Sequence, residues 1–319
     1  MGRALPEGAY AARRVLVTGG GGFIGSHLVH ALVRRGAHVR VLDDFSTGSR
    51  RNLEEVADAI EVQEGDVRRP EDCAAACRGI EVVFHEAALP SVALSVEAPE
   101  DSHAVNATGT LNLVRAAVAQ GVERLVYAGS SSAYGESELL PKREDMLAQP
   151  VSPYAASKLA GEYYVQLAAR LWGLHTVVLR YFNVFGARQD PTSQYSAVIP
   201  KFITAMKAGR APTIFGDGLQ SRDFAHVDNV VHANLLAGTS PAACSGRVYN
   251  IACGGRVSLL ELVEKLNEVL GTRIEPEFAP PRPGDVKHSQ ADITRAREEL
   301  GYEPIVSFEE GLRRTVEAY

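Results

Sequence analysis

Cysteine is scarce in this sequence, with four residues in a chain of 319. So few cysteines in so long a chain do not form a disulfide framework. Cys73 and Cys77 stand four residues apart on a predicted helix, but no His or Cys pair is placed to complete a zinc site with them. We expect both to be small buried side chains, we expect no metal, and a reducing cytoplasm is the simplest setting.

Long apolar runs and an excess of positive charge are also missing. No apolar run approaches the roughly 20 residues that cross a bilayer, and the first thirteen residues lack the apolar core of a signal peptide. The net charge of −6 does not indicate a nucleic-acid-binding protein, which would be expected to be basic. The hydrophobic content of 45% and the charged content of 23% are ordinary for a globular protein. We therefore expect a soluble, cytoplasmic protein without a membrane or nucleic-acid partner, with one large domain or two smaller ones.

A glycine-rich turn near the N-terminus lies between a strand and a helix. Residues 14–18 are predicted to form a short buried strand, residues 19–25 contain five glycines, and a helical pattern follows. A second predicted strand, residues 38–42, ends at Asp43. Strand, glycine turn, helix, strand and acid in this order are typical of a dinucleotide-binding unit.

Each position in this unit has a physical role. Gly19 allows the tight turn, Gly22 lets the backbone approach a pyrophosphate, and Gly25 lets the helix pack close to the sheet. The helix N-terminus offers free N–H groups and a positive dipole end to the phosphates. The Asp43 carboxylate can accept hydrogen bonds from a ribose diol and would repel a 2′-phosphate, so NAD is favoured over NADP.

The first half of the chain continues to alternate strands with helices. This alternation predicts an α/β fold with a Rossmann-type, doubly wound parallel sheet, whose ligands gather at the carboxyl ends of the strands. Asp66, Ala87, Asn106, Ser130 and Tyr154 are at or beyond such ends. The further strands are predicted at residues 60–63, 81–85, 124–128 and 174–179, and the longer helices at 104–119 and 153–171.

Tyr154 and Lys158 are four residues apart and therefore share one face of a predicted helix. A free phenol has a pKa near ~10 and is a poor base at neutral pH, but a nearby ammonium favours the phenolate. The spacing alone is common on solvated helix faces. Its place in a predicted dinucleotide-binding fold indicates a catalytic pair.

The pattern changes after about Tyr181, where segments become shorter and richer in Pro and Gly. We predict a Rossmann domain of residues 1–180 plus about 223–254, and a smaller α/β substrate-binding lobe of residues 181–222 and 255–319. A strand is predicted at residues 247–251 and an amphipathic helix at 259–270. The cations of this part are suited to bidentate contact with phosphate: Arg188, Arg222 and Arg282.

Three motifs together resemble the extended short-chain dehydrogenase/reductase superfamily: Thr18-Gly19-x-x-Gly22-x-x-Gly25, Ser130 four residues before Tyr134-Gly135, and Tyr154-x-x-x-Lys158. Residues 42–48, 179–186 and 221–224 more narrowly resemble the UDP-hexose 4-epimerases, with the closest match to the UDP-N-acetylglucosamine 4-epimerase branch. The resemblance extends from Arg14 to Tyr319.

This resemblance implies NAD as the cofactor and a UDP-sugar as the substrate. Cofactor-binding positions would be Gly19, Gly22, Phe23, Ile24, Gly25, Asp43, Asp44, Ser46, Thr47, Gly48, Asp66, Val67, Ala87, Ala88, Asn106, Ser130, Tyr154, Lys158 and Tyr181. Substrate-binding positions would be Ser91, Ser130, Ser131, Ser132, Tyr154, Asn183, Val198, Ile199, Thr213, Phe215, Arg222, Arg282, Asp285 and Ser289.

The implied chemistry is an inversion at C4 of the sugar. Tyr154 would take the proton of the 4-hydroxyl while C4 gives hydride to NAD⁺, Ser130 would bond the sugar O4, and Lys158 would bond the nicotinamide ribose and tune Tyr154. The 4-keto sugar would turn over in the cleft and receive the hydride on its other face. Asn183, Arg222, Arg282 and Asp285 would hold the UDP part.

Two other readings stay open at this point. Sugar-nucleotide 4,6-dehydratases typically carry Asp-Glu directly after the residue that matches Ser130, and UDP-glucuronate decarboxylases have Glu at the second of these positions. Here the two positions are Ser131 and Ser132, and neither can serve as that carboxylate. A non-catalytic NAD-binding protein on the same fold would be expected to lose part of the triad, and Ser130, Tyr154 and Lys158 are all present.

The choice of sugar depends on Ser289, which aligns where many hexose-only epimerases have a tyrosine. The missing ring would leave room for an acetamido group at C2, which favours UDP-GlcNAc/UDP-GalNAc, with UDP-Glc/UDP-Gal also turned over. A uronic acid would need a cation near C6, which the sequence does not place. Glu86 departs from the Phe or Gln that relatives often have there. Relatives commonly dimerise through two long helices, here those predicted at 104–119 and 153–171, so a homodimer is expected.

Overall fold

The computed structural model describes residues 5–190, 198–281 and 287–319. Its centre is one sheet of seven strands in which every hydrogen-bonded pair of neighbours is parallel. The strands are β1 (Arg14–Thr18), β2 (His38–Asp43), β3 (Ile60–Glu64), β4 (Val82–His85), β5 (Arg124–Ser130), β6 (His175–Tyr181) and, from later in the chain, β11 (Arg247–Ile251).

The strands form because short runs of β-branched and other apolar residues are buried on both faces of the sheet. Val15, Leu16 and Val17 of β1 are fully buried. The spatial order β11-β6-β5-β4-β1-β2-β3 reverses direction between β1 and β4. In open parallel sheets a ligand binds outside the carboxyl ends of the strands at such a reversal. The predicted fold class is therefore confirmed, and the topology places the candidate site beyond β1 and β4.

The described residues form ten α-helices, some on the faces of the sheet and the others in the second half of the chain. They are α1 (Phe23–Val33), α2 (Pro70–Ala76), α3 (Val92–Glu97), α4 (Pro99–His103), α5 (Thr110–Ala119), α6 (Pro153–Trp172), α7 (Val198–Lys207), α8 (Val227–Ala237), α9 (Leu259–Leu270) and α10 (Phe308–Ala318). None of the helices within the described ranges has the length and apolar character needed to cross a membrane.

The helix predicted at residues 104–119 is wrong at its start. The helical path begins earlier, with α4, and passes through a π-helical turn at Ala104–Gly109 before α5. This wide turn carries Asn106, and the Thr110 hydroxyl donates to the Asn106 carbonyl oxygen at 2.6 Å. Such turns are frequent at functional sites because they redirect one side chain within a continuing helix.

A smaller lobe has its own core, separate from the two apolar clusters that flank the sheet. It packs α7, α9 and α10 around Phe185, Phe202 and Leu262. Its short strands form parallel pairs β7–β10 and β8–β13 and an antiparallel pair β9–β12. These strands are β7 (Val184–Phe185), β8 (Thr213–Phe215), β9 (Ser221–Arg222), β10 (Ala225–His226), β12 (Val257–Ser258) and β13 (Glu277–Ala279). The separate core fits the predicted two-domain division, whose boundaries stay a prediction.

Candidate active site

The glycine turn between β1 and α1 leaves no room for side chains. Gly19 has φ +69°, and a Cβ atom on it would lie 2.7 Å from the amide nitrogen of Ala87. A Cβ on Gly25 would lie 2.8 Å from the carbonyl carbon of Gly19. Gly22 is the N-cap of α1 and gives no side-chain cap. The first N–H groups of the helix therefore face the turn without a capping side chain, which is the arrangement that binds phosphate.

Asp43 holds the other side of this turn. Its carboxylate oxygens accept hydrogen bonds from the backbone N–H of Gly21 and of Phe45, both at 2.8 Å. Burial raises the pKa of this carboxyl, and the two backbone hydrogen bonds act against that rise. A Cβ on Gly48 would lie 2.8 Å from the carbonyl carbon of Gly21, so the loop after β2 lies directly on the glycine turn. A carboxylate accepts more than two hydrogen bonds, which leaves Asp43 capacity for a ribose diol.

The other cofactor-binding residues predicted near Asp43 lie in the loops after β2 and β3 and at the start of α1. Asp44 accepts from the Ser46 N–H at 2.9 Å and from its hydroxyl at 2.7 Å. Asp66 accepts from the Arg68 backbone N–H at 2.8 Å and forms an ion pair with its guanidinium. Val67 is buried after β3. Phe23 and Ile24 are in the first turn of α1, and Thr47 is in the loop after β2.

The segment after β4 is fixed by Asn106. Its side-chain oxygen accepts from the Leu89 N–H at 2.9 Å, and its amide donates to the Ser157 hydroxyl on α6 at 3.1 Å. The Ala87 N–H points to the Thr18 hydroxyl at 3.3 Å. Ala87 and Ala88 are thereby held between the glycine turn and α6. Ser91 caps α3 by accepting from the Leu94 N–H at 3.1 Å, so its hydroxyl already has a structural role.

Ser130, Tyr154 and Lys158 come together from β5 and α6. Ser152 caps α6 at 3.1 Å from the Ala155 N–H, and Tyr154 is in the first turn, where its N–H donates to the Ser95 hydroxyl at 3.0 Å. Burial raises the pKa of the Tyr154 phenol, and a hydrogen bond with Ser130 acts to lower it. Ser130 at the end of β5 and Tyr154 at the start of α6 are therefore near each other in the fold.

The Lys158 ammonium lies over the ring of Tyr127, with 4.4 Å between Nζ and the ring centroid. Burial lowers the pKa of Lys158 to about 8, and the nearby carboxylates of Glu86 and Glu162 act against that decrease. A buried amine with this pKa changes its charge close to neutral pH, which is a common property of catalytic groups.

Ser131 and Ser132 form the start of a 3₁₀ turn, Ser131–Tyr134, directly after β5. The Ser130 hydroxyl oxygen accepts from the Ser132 N–H at 3.2 Å and is 2.8 Å from the Ser132 hydroxyl. The two positions beyond Ser130 thus carry hydroxyl groups and no carboxylate.

A cavity of about 1000 Å³ opens in the smaller lobe, between α7, β8 and β9. Its lining unites six of the residues that the resemblance assigned to the substrate: Asn183, Val198, Ile199, Thr213, Phe215 and Arg222. Asn183 has φ +23° and its amide donates to the Asp223 carbonyl oxygen at 3.2 Å. The sequence grouped these positions only through the family resemblance, whereas in the structure they line one cavity.

Ser289 lies beside the strand that carries Arg222. Its N–H donates to the Ser221 carbonyl oxygen at 3.0 Å, and Arg222 donates to the Lys287 carbonyl oxygen at 3.2 Å. Arg282 and Asp285 lie outside the described residues. Arg188 does not line this cavity, and its guanidinium is 4.0 Å from the Glu55 carboxylate, so its contact with phosphate stays a prediction.

Several charged residues escaped the sequence analysis in part or completely. Lys201, Arg210 and Glu277 line the cavity although no role was predicted for them. Lys201 is three residues after Val198 on α7, so helical spacing is the signal that could have found it. Glu86 accepts a hydrogen bond from the Tyr181 hydroxyl at 2.8 Å. Its position directly after β4 was visible in the sequence, but its partners were not.

The site fits a dinucleotide. The uncapped helix start, the crowded glycines and the acid after β2 meet at one edge of the sheet, next to the buried tyrosine and lysine. The described residues contain no group of three or more His, Cys, Asp or Glu side chains that could hold a metal ion. Residues 15–252 match the NAD-dependent epimerase/dehydratase family.

The chain belongs to this family.

Individual members of the family match over nearly their whole length. The UDP-glucose 4-epimerase of Mycolicibacterium smegmatis is 42% identical, with 96% of this chain and 98% of the relative covered. A solved UDP-N-acetylglucosamine 4-epimerase from Methanobrevibacter ruminantium, in complex with UDP-N-acetylmuramic acid, has a TM-score of 0.92 and 39% identity, with 97% and 98% of the two chains covered. The Thermus thermophilus UDP-glucose 4-epimerase in complex with NAD has a TM-score of 0.86 and 39% identity, with 96% and 98% covered.

These likenesses confirm three sequence predictions. The protein is an extended short-chain dehydrogenase/reductase of the UDP-hexose epimerase group, its cofactor is NAD, and it is an isomerase of the UDP-glucose 4-epimerase type. The residue assignments within the site and the preferred sugar stay predictions.

Proposed function

We propose that this epimerase inverts C4 of UDP-hexoses, with UDP-GlcNAc/UDP-GalNAc as substrates and UDP-Glc/UDP-Gal also turned over. The observation that supports this proposal is the position of Tyr154 at the start of α6, one helical turn from Lys158 and close enough to Ser130 at the end of β5 for this hydroxyl to lower the pKa of the phenol. A general base and a hydroxyl donor near each other are what proton transfer at one sugar hydroxyl requires.

Tyr154 acts as the base in this proposal. Burial disfavours its phenolate, so it needs positive charge nearby, and the Lys158 ammonium one helical turn away supplies it. Ser130 orients the sugar oxygen and shares the proton with Tyr154. The glycine turn and Asp43 would hold NAD⁺, which would supply reversible hydride acceptance at C4. Tyr154 then gives the proton back, so the site ends the cycle in its starting state.

The cavity in the smaller lobe would hold the UDP part. Arg222 supplies a guanidinium suited to phosphate, and Phe215 and Thr213 provide an apolar and a polar wall. Arg282 and Asp285 are proposed to complete this anchor. A firmly held nucleotide allows the sugar to turn over between the two hydride transfers without leaving the protein.

Two features favour an epimerase over related activities. Ser131 and Ser132 carry no carboxylate that could serve as the additional acid or base of a dehydratase or decarboxylase. The presence of Ser130 near Tyr154, together with Lys158 one helical turn further along α6, favours catalysis over a purely NAD-binding role. A UDP-glucuronate 4-epimerase stays the alternative substrate class, because it needs the same C4 chemistry.

The test is incubation of the purified protein with UDP-GlcNAc, UDP-Glc and UDP-GlcA in separate reactions, with the C4 epimers quantified by proton NMR. We expect conversion of the first two. Tyr154→Phe removes the proton acceptor while keeping the ring, so the turnover rate should decrease by about 10²-fold or more.

Tyr163→Phe is the matched control, since this tyrosine is on the same helix but is 52% exposed on the opposite side from the core. Its rate should equal that of the wild type. The proposal fails if none of the three nucleotide sugars is epimerised, or if Tyr154→Phe retains the wild-type rate.

A further inference from the structure

His85, the last residue of β4, is part of a buried chain of hydrogen bonds next to the glycine turn. Its ring is fully buried, and so are the side chains of Thr18 at the end of β1 and Thr110 at the start of α5. Nδ1 of His85 is 2.7 Å from the Thr18 hydroxyl oxygen, and Nε2 is 3.0 Å from the Thr110 hydroxyl oxygen. The ring therefore connects the strand that leads into the glycine turn with the helix that follows Asn106.

The Thr110 hydroxyl decides which nitrogen of the imidazole carries the proton. Its oxygen is 2.6 Å from the Asn106 carbonyl oxygen, and because a carbonyl only accepts, the Thr110 proton lies between these two oxygens. Thr110 can then only accept from the imidazole, so Nε2 carries the proton and Nδ1 is left as an acceptor. Burial and the Lys158 charge lower the pKa of His85 to about 3, which agrees with a neutral ring.

An accepting Nδ1 also fixes the Thr18 hydroxyl. This hydroxyl donates its proton to Nδ1, so its oxygen can accept from the Ala87 N–H at 3.3 Å. Ala87 is packed closely against the glycine turn, since a Cβ atom on Gly19 would lie 2.7 Å from its amide nitrogen. Each proton of the chain thus has one place, from the Ala87 N–H at one end to the Asn106 carbonyl oxygen at the other.

We propose that His85 is a positioning residue of the cofactor site, which as a neutral ring with its proton on Nε2 orients the Thr18 hydroxyl to hold the Ala87 N–H against the glycine turn. The other tautomer would need the Thr110 proton for its own Nε2. The Thr110 and Asn106 oxygens would then lie 2.6 Å apart without a hydrogen between them. This inference concerns the NAD site alone and is independent of the sugar that the protein converts.

The proton assignment is tested on the wild-type protein with NAD bound, by long-range proton–nitrogen correlation NMR with nitrogen-15-labelled histidine at pH 7. The signals of His85 are identified by their loss in His85→Asn. We expect a protonated Nε2 and an unprotonated Nδ1. The same pattern should persist at pH 5, because the chain has no place for a second proton on the ring. A proton on Nδ1 at either pH overturns the proposal.

The positioning role is tested with two substitutions that each keep one half of the imidazole. His85→Asn places an amide oxygen near the position of Nδ1, so Thr18 keeps an acceptor, but the side chain no longer reaches Thr110. His85→Gln can still donate to Thr110 but removes the acceptor from Thr18. We expect NAD⁺ to dissociate from the purified holoenzyme about 10-fold faster in His85→Gln, and within about 3-fold of the wild-type rate in His85→Asn. The Tm should decrease more in His85→Asn, because the shorter side chain leaves the larger cavity.

These opposite orders separate positioning from filling of space. If His85 only fills the core, the shorter Asn should be worse than Gln in both NAD⁺ retention and Tm. A wild-type dissociation rate in His85→Gln overturns the positioning role, and so does faster dissociation from His85→Asn than from His85→Gln.

His175→Gln is the matched control. Its Nε2 is 3.0 Å from the Ser240 hydroxyl oxygen, which is the same pair of groups, but His175 is at the start of β6 and thus at the opposite edge of the sheet from the site. This variant should release NAD⁺ at the wild-type rate. Neither measurement uses a sugar, so failure of the wild type to epimerise any nucleotide sugar would refute the proposed function and leave the test of His85 intact.

Discussion

Among the residues of the glycine turn, Gly25 leaves no room for a side chain. A Cβ there would meet the backbone of Gly19, which cannot move without disturbing the close contact of Gly19 with Ala87. We expect Gly25→Ala to lower the free energy of unfolding by about 1–3 kcal/mol and to weaken NAD⁺ binding, because the start of α1 is pushed away from the turn. Thermal unfolding and calorimetric titration with NAD⁺ measure the two effects. Gly255→Ala, at a position with open space around it, should change neither; wild-type NAD⁺ affinity in Gly25→Ala would contradict the role given to this glycine.

Ser289 gives a second prediction at this scale. If its small side chain leaves the room for an acetamido group, Ser289→Tyr should reduce kcat/KM for UDP-GlcNAc about 10- to 100-fold more than for UDP-Glc. Ser289→Ala keeps the room and should leave the ratio of the two unchanged. Equal losses on both substrates in Ser289→Tyr would show that another residue limits the size of the sugar.

Some residue roles can be predicted from a local sequence motif, and others depend on residues that are far apart in the sequence. Ser130 and Tyr154 were predicted as site residues from motifs alone, and the Ser130 hydroxyl is near enough to lower the pKa of the Tyr154 phenol. The environment of Glu86 was not predictable, because Tyr181 is 95 residues away in sequence and Asn234 further still. A motif contains the residues of one turn or helix, whereas such a polar chain exists only after three elements have packed together.

Among the elements, α6 is joined to β6 by a buried ion pair. The side chains of Glu162 and Arg180 are 2% and 5% exposed, and the Arg180 guanidinium lies 4.7 Å from the ring centroid of Tyr134. Removing one charge leaves the other buried without compensation, so Glu162→Leu or Arg180→Met alone should cost about 3–5 kcal/mol of unfolding free energy. The double variant should recover most of this, as measured by denaturant unfolding. A double variant as unstable as the sum of the two single ones would contradict the pairing.

The central strands were predictable, and the short ones were not. The prediction of residues 247–251 matches β11, and residues 124–128 form most of β5, because buried parallel strands are continuous apolar runs bounded by turns. Strands of two or three residues, such as β7 and β9, contain no period to detect and exist through partners far away in the chain. The sequence therefore could not predict the wall of the cavity, which is built from β8, β9 and α7.

For the whole molecule, we propose a homodimer formed by the outer face of α6. Tyr163, Leu167 and Leu171 are four residues apart and 52%, 41% and 62% exposed, so they form one apolar stripe beside α5. Leu167→Lys should convert the dimer into a monomer, because it places a charge in the middle of that stripe. Light scattering coupled to size exclusion measures the mass. Leu219→Lys, at a leucine that is 55% exposed in another part of the protein, should stay dimeric. A monomeric wild type would refute this proposal.

The hydrogen bond from Ser289 to Ser221 links two tasks that are separate in chemistry. Arg222 is proposed to bind the phosphates, and Ser289 is proposed to limit the size of the sugar. Both residues are on adjacent backbone segments, which keeps the distance between their backbones fixed. A change of side chain at one of them leaves that distance intact. A new sugar preference can therefore arise from a single substitution while the nucleotide keeps its binding position.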